Sequence, residues 1–95
     1  MITSKQRAAL RGMANGIPAI LQIGKGGINE NFLKQVDDAL EARELVKITI
    51  LETAVLDTKA TCGHVAELLG AEPVQAIGSK FVLYRESKEN KTIVI

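Results

Sequence analysis

The sequence has very few of the residues that build disulfide, metal or cofactor sites. Its 95 residues include one cysteine, Cys62, and one histidine, His64. A single cysteine cannot form an internal disulfide, and these two residues are too few for a structural zinc site of Cys and His ligands. The N-terminal stretch also lacks the apolar core of a signal peptide. We therefore expect no metal ion, no cofactor and a reducing, cytoplasmic location.

The chain also lacks a credible set of catalytic residues. Cys62 and His64 stand two positions apart in a segment predicted to be helical, where such side chains point to different faces. The adjacent Asp37 and Asp38 diverge by about 100° on a helix, so they do not converge on one substrate. We predict that the protein is not an enzyme.

Long apolar runs and aromatic residues are scarce as well. No apolar run approaches the roughly 18 residues of a membrane span, so we expect no membrane association. There is no tryptophan, and the aromatic residues are Phe32, Phe81 and Tyr84. With the two phenylalanines expected in the core, these residues make a poor stacking platform for unpaired bases. Any contact with nucleic acid should therefore depend on phosphates and shape.

What the chain does have is a marked segregation of charge. No acidic residue precedes Glu30, whereas this first segment contains four basic residues, Lys5, Arg7, Arg11 and Lys25. The formal charges are +4 for residues 1–27, −5 for residues 28–72 and +2 for residues 73–95, within a net charge of +1. Such segregation can build a basic face that attracts polyanions. Ordinary solvated side chains are the alternative interpretation.

Hydrophobic spacing and turn residues predict an α/β chain of order αβαβαββ, with a single domain over residues 1–95. We predict helices at residues 4–14, 29–43 and 58–69, and strands at 18–23, 45–51, 74–77 and 81–85. The first strand, helix and strand should form a parallel unit, and the last two strands an antiparallel hairpin. Residues 86–91 are expected to be a mobile charged tail, and residues 92–95 an added edge strand or a frayed end.

Hydrophobic spacing also predicts which side chains of the first helix and the first strand are buried. In the first helix, one stripe that can face a core consists of Gln6, Ala9, Leu10 and Met13. The strand at 18–23 is short and apolar, which is typical of a largely buried strand.

The stretch Ile23-Gly24-Lys25-Gly26-Gly27 joins the first predicted strand to the second helix. Its glycines allow a sharp turn and a close approach by another backbone. The free N–H groups at the helix start, together with the Lys25 charge, favour an anion such as phosphate. A turn that needs glycine only for its own geometry is the alternative. The loop matches neither a P-loop, since Gly26 follows the lysine, nor a dinucleotide fingerprint, since position 29 is Asn.

Four blocks of the sequence together resemble the CRM domain, the chloroplast RNA splicing and ribosome maturation family. They are Gln6-Arg7-Ala8-Ala9-Leu10-Arg11, Ile23-Gly24-Lys25-Gly26-Gly27, Glu44-Leu45-Val46-Lys47-Ile48 and Gly78-Ser79-Lys80-Phe81-Val82-Leu83-Tyr84-Arg85. The match spans nearly the whole chain, which resembles the free-standing bacterial, YhbY-like form of the domain. The resemblance implies a compact α/β fold with a four-stranded mixed sheet, similar to the C-terminal domain of translation initiation factor three.

The resemblance also implies a function in RNA binding, through the GxxG loop and a neighbouring basic surface. The loop contact carries over to Gly24, Lys25, Gly26 and Gly27, and the basic surface to Lys5, Arg7 and Arg11. Free-standing bacterial members are linked to precursors of the large ribosomal subunit, so the implied partner is rRNA during ribosome assembly. We expect a monomer. A protein-interaction module that docks a ribosomal protein or assembly factor through its acidic middle helix is the alternative.

Overall fold

Three helices and four strands make up the computed structural model, which describes residues 2–95. The helices are α1 (Ser4–Ala14), α2 (Glu30–Arg43) and α3 (Thr58–Leu69). The strands are β1 (Ala19–Ile23), β2 (Leu45–Ile50), β3 (Glu72–Ile77) and β4 (Lys80–Tyr84). A short 3-10 turn, Glu52–Ala54, connects β2 to α3. The predicted order αβαβαββ is confirmed, and so is the compact α/β fold.

The strands form one mixed sheet in the order β1-β2-β4-β3. β1 is parallel to β2, which confirms the predicted parallel unit, while β4 is antiparallel to both β2 and β3. The β3-β4 hairpin is also confirmed, and Gly78 in its turn has a φ of +61°, which favours glycine. β1 and β3 are the two edge strands. Pro73 fits in β3 because an edge strand has N–H positions that need no ladder partner.

The two faces of the sheet are covered to different extents. On what we call the closed face, α2 and α3 pack over an apolar cluster centred on Ile48 and Phe81. On what we call the open face, α1 packs with Leu10 and Ala14 over Leu45, and this cluster is smaller. The β2 side chains alternate between the faces, because successive side chains of a strand point to opposite sides.

The predicted burial of α1 and β1 is largely wrong. In α1 the buried residues are Leu10 and Ala14, whereas Gln6 takes part in a capping box with Thr3 and 40% of Met13 is exposed. In β1 only Ile23 is buried. The physical reason is the same for both elements: β1 lies at the sheet edge, where α1 does not cover it.

Residues 86–95 form no strand, so the expected edge strand is wrong. Their backbone N–H groups bind carboxylates at the end of α2 instead of the sheet. Buried Glu44 accepts hydrogen bonds from the N–H groups of Ser87, Thr92 and Ile93 at 2.8, 2.7 and 2.8 Å. Glu41 accepts from the Ser87 hydroxyl and from the Lys88 N–H at 3.1 Å. These contacts also argue against a mobile tail.

Glu44 combines a buried carboxylate with an unusual backbone. It ends α2 with a φ of +67°, a conformation that favours glycine. Burial alone would raise the pKa of Glu44, but the hydrogen bonds from Ser87, Ile93 and Thr92 outweigh it and hold the pKa below its ordinary value. The side chain therefore remains ionised while it binds the C-terminal segment.

Candidate nucleic-acid interface

The glycine loop is a four-residue turn at the carboxyl end of β1. The N–H of Gly27 donates to the carbonyl oxygen of Gly24 at 2.9 Å and closes the turn. Gly27 has a φ of +65°, so this position requires glycine for its backbone. Gly26 does not have a positive φ, and a Cβ built on it would meet only the end of the Asn29 side chain, at 3.3 Å. The turn geometry therefore accounts for Gly27 but not for Gly26.

The loop opens into a shallow polar depression of about 170 Å³ in front of α2. Side-chain amides contribute to its wall, from Gln22, Asn29, Asn31 and Gln35. Asn29 caps the helix by accepting a hydrogen bond from the Phe32 N–H at 2.8 Å. The exposed Lys25 lies on the same loop. Amide donors, a helix start and a lysine together suit an anionic oxygen, while Glu30 in the first helical turn opposes a negative charge.

Two lysines lie on the open face, and Lys80 is the one beside this end of β1. In the sheet register Gln22 pairs with Thr49 and Thr49 with Lys80, so their side chains lie on one face. Lys47 lies two residues before Thr49 and therefore on the same face, but it pairs with Ala19 at the other end of β1. Within residues 2–95, no carboxylate lies within 4.0 Å of the ammonium groups of Lys47 or Lys80.

Sequence reasoning missed both of these lysines. The signal was present: the alternation of β2 places Lys47 opposite the buried isoleucines, and the hairpin turn places Lys80 at the start of β4. What the pattern did not contain was the strand order, which brings β4 beside β2 and leaves this face partly uncovered.

The basic residues of α1 are separated from the glycine loop. The Nε atoms of Arg7 and Arg11 donate to the carbonyl oxygens of Pro73 and Val74 at 3.1 and 3.2 Å. Those carbonyls belong to β3, which is three strand spacings from β1, roughly 14 Å across the sheet. Lys5 is exposed in the first turn of the same helix. The structure thus brings Gly24, Lys25, Gly26 and Gly27 together and places Lys5, Arg7 and Arg11 in a second area.

The acidic side of α2 is largely engaged within the chain. Asp37 forms a salt bridge of 2.7 Å with Arg85, and Asp38 forms one of 3.2 Å with Lys34. Glu41 holds residues 87–89 and its pKa is lowered, first by the hydrogen bond from Ser87. These contacts leave little unpaired negative charge for a basic protein partner.

Cys62 and His64 form no reactive pair. Cys62 is buried, and desolvation raises the pKa of its thiol to about 11, while His64 is exposed. Across the part of the chain that the structure describes, no three His, Cys, Asp or Glu side chains are grouped to hold a metal ion. In the same residues, every helix is too short or too polar to cross a membrane.

Comparison with known proteins assigns the chain to a family that fits its fold. The family model of the CRS1 / YhbY (CRM) domain matches residues 2–85, and the chain belongs to this family. The most similar curated relatives include "Probable RNA-binding protein YqeI" of Bacillus subtilis, which is 44% identical over 93 residues, 98% of this chain and 97% of the relative. An "RNA-binding protein" of Haemophilus influenzae is 29% identical, over 95% of this chain and 91% of that protein.

A solved structure shows the same fold. The solution structure of hypothetical protein SAV1595 from Staphylococcus aureus, described as "a putative RNA binding protein", superposes with a TM-score of 0.81. The two sequences are 53% identical, and the alignment covers 96% of this chain and 95% of the other. The relatives are named for RNA binding, and the prediction that this chain is not an enzyme is confirmed.

Proposed function

We propose that this protein binds rRNA in precursors of the large ribosomal subunit and acts in ribosome assembly without catalysing a reaction. The observation that carries the proposal is the position of the glycine loop beside an incompletely covered sheet face. That face presents Lys47 and Lys80 without acidic partners. A phosphate held by Gly24, Lys25, Gly26 and Gly27 would lie next to further positive charge, as a nucleic-acid backbone requires.

The arginines of α1 form the outer part of the proposed interface. The Nε atoms of Arg7 and Arg11 bind carbonyl oxygens of β3, and an arginine carries further N–H donors for a phosphate. An RNA that contacts the loop must cross the sheet to reach these residues and Lys5. The proposal therefore includes a near area around the loop and a far area on α1, and it takes the chain as a single monomeric domain in the cytoplasm.

Substitutions in the loop test the proposal. Lys25→Ala removes one charge but leaves the turn, so RNA binding should weaken modestly, and the slope of log affinity against log salt should become shallower by about one unit. Gly26→Asp should weaken binding much more, because it places a negative charge where the phosphate would lie. Gly26 has no positive φ, so its backbone accepts a side chain, but the Asn29 side chain 3.3 Å from the new Cβ must shift by a few tenths of an ångström.

Gly63→Asp is the matched control, since it adds the same charge on α3 at a position with open space around it. It should bind a large-subunit rRNA fragment nearly as well as the parent. Thermal unfolding of all variants checks that they fold. If folded Gly26→Asp binds the fragment as tightly as the parent, the loop is only a turn and the proposed binding mode is wrong. Crosslinking in cells followed by mapping of the attached RNA tests the assignment to large-subunit rRNA.

A further inference from the structure

A second concave site lies at the other end of β1. It is a groove of about 250 Å³ between the end of α1 and the start of β1. Its apolar wall includes Met13, Ile17, Pro18 and Ile20, and its lining also includes Arg43 and Lys47. The groove thus combines aliphatic side chains with two cationic groups.

The two cations of the groove and two of its apolar side chains are left without a partner or a cover by the described residues. Between residues 2 and 95, Arg43 and Lys47 have no carboxylate within 4.0 Å. Met13 and Ile20 are 40% and 38% exposed, although they are large apolar residues on neighbouring elements. An occupant with an apolar, flat part and an anionic part would cover the side chains and neutralise the cations. A nucleotide has both parts.

The groove is connected to the glycine loop by β1 itself. From Ile20 to Gly24 the strand extends roughly 13 Å, which corresponds to about four nucleotides at the 3.4 Å spacing of a stacked strand. Between the two sites, Gln22 lies in one row with Thr49 and Lys80 on the open face. A single strand could therefore follow β1 from the loop to the groove.

The C-terminal segment completes the groove. Ile93 belongs to its lining, and the Ile93 N–H is bound by the Glu44 carboxylate at 2.8 Å. Because Glu44 also holds Thr92 and Ser87, this wall has a defined position. A preformed wall reduces the ordering that a bound base would otherwise require.

We propose that this groove binds an unpaired nucleobase, so that the protein prefers single-stranded over double-stranded RNA. The inference rests on the proposed function, because it assigns a base site to the same interface. Bases in an RNA duplex are paired and stacked, so they cannot enter such a groove. Aliphatic walls replace the aromatic platforms that the composition lacks.

The test uses oligoribonucleotides of about five nucleotides, each of one base and just long enough to reach from the loop to the groove, and the same oligonucleotides with a single abasic residue at each position in turn. Removal of the base that occupies the groove should lower affinity by about 3- to 10-fold at one position and less elsewhere, which is at the low end of base stacking on aromatic residues. NMR signals of the Ile20 and Met13 methyl groups in the parent protein should shift with the intact oligonucleotide and shift less with that abasic one.

Ile20→Ser and Met13→Ser, placed on two different elements, should each lower single-strand affinity by a similar factor while leaving the salt slope unchanged. Leu68→Ser is the matched control, because Leu68 is a half-exposed aliphatic residue on α3. It should change affinity by less than about 2-fold.

The outcomes separate this inference from the proposed function. If the parent binds RNA but the abasic scan is flat and neither methyl group shifts, the base site is wrong while RNA binding stands. The same conclusion follows if an RNA duplex binds as tightly as the single strand. If the parent binds neither single strands, duplexes nor rRNA fragments, the proposed function fails and the base site fails with it.

Discussion

The two faces of the sheet differ in how completely they are covered. On the closed face, α2 and α3 bury Ile48 and Phe81 entirely, and their cluster extends along most of the sheet. On the open face, α1 covers only one end; the half near the glycine loop presents Lys80, and Lys47 lies farther along β2, opposite Ala19. The uncovered half of the open face is thus free for the proposed function, whereas both apolar clusters serve stability. Substitutions in the closed-face cluster should change folding most, and substitutions in the uncovered half of the open face should change binding.

The largest expected effect lies on the closed face. Phe81→Ala removes a fully buried aromatic ring and should lower the free energy of unfolding by about 3–5 kcal/mol. Lys80→Ala on the open face is the comparison, and because Lys80 is exposed the change should cost no more than about 0.5 kcal/mol. Urea unfolding measures both. Equal losses would contradict the division between the faces.

A smaller loss is expected where the C-terminal segment joins the open-face cluster. Glu44→Ala leaves three backbone N–H groups without their acceptor and should cost on the order of 3 kcal/mol. Amide hydrogen exchange of Thr92 and Ile93 should accelerate in this variant. Glu86→Ala, in an exposed ion pair with Lys91, is the control and should leave exchange unchanged.

The same carboxylate makes stability depend on pH in a defined direction. Because the pKa of Glu44 is lower in the folded chain than its ordinary value of 4.5, its contribution is present above that value. The contribution is lost as the pH falls through the lowered pKa. In the parent, the protection factors of the Thr92 and Ile93 amides should therefore fall as the pH drops below 4.5, and they should change less in Glu44→Ala. An equal acid response in both proteins would contradict the assignment.

The salt dependence of RNA binding should distinguish the near area around the glycine loop from the far area on α1, with an effect of intermediate size. With about four phosphate contacts, log affinity should fall against log salt with a slope of roughly −3 to −4. Lys47→Ala should make the slope shallower by about one unit for short and long RNA alike. Arg7→Ala should do so only when the RNA is long enough to cross from β1 to β3. A slope near zero in the parent would favour the protein-docking alternative.

The smallest effect is expected for the buried thiol. Cys62→Ser should leave RNA affinity unchanged within about 2-fold, since Cys62 lies on the closed face, where its thiol is 3.9 and 4.0 Å from the carbonyl oxygens of Gln75 and Val82. Serine is nearly the same size as cysteine, so the protein should still fold. Fluorescence anisotropy with an rRNA fragment measures the affinity. A large loss of affinity in a folded variant would show that the closed face also contributes to RNA binding.

Local sequence patterns were sufficient to predict the helices and strands but not their arrangement in the sheet. Periodicity, caps and the Gly78 turn predicted every helix and strand within about two residues, because these signals act over one or two turns of chain. The exposure of β1 depends on strand order, which no periodicity encodes. The contacts of Glu44 join residues separated by 43 to 49 positions, so no local pattern in residues 86–95 could reveal them. Likewise, only the sheet register brings Lys80 beside the loop end of β1 and Lys47 opposite Ala19.

The position of Glu44 has a consequence for the order of events during synthesis. Its carboxylate can leave water only when the amides of Ser87, Thr92 and Ile93 are available, yet those residues leave the ribosome long after α2 has been made. Until then the end of α2 has a charged side chain and a residue of positive φ without the hydrogen bonds that the carboxylate later accepts. We expect the closed face to assemble first and the open-face cluster to close last, when residue 93 emerges.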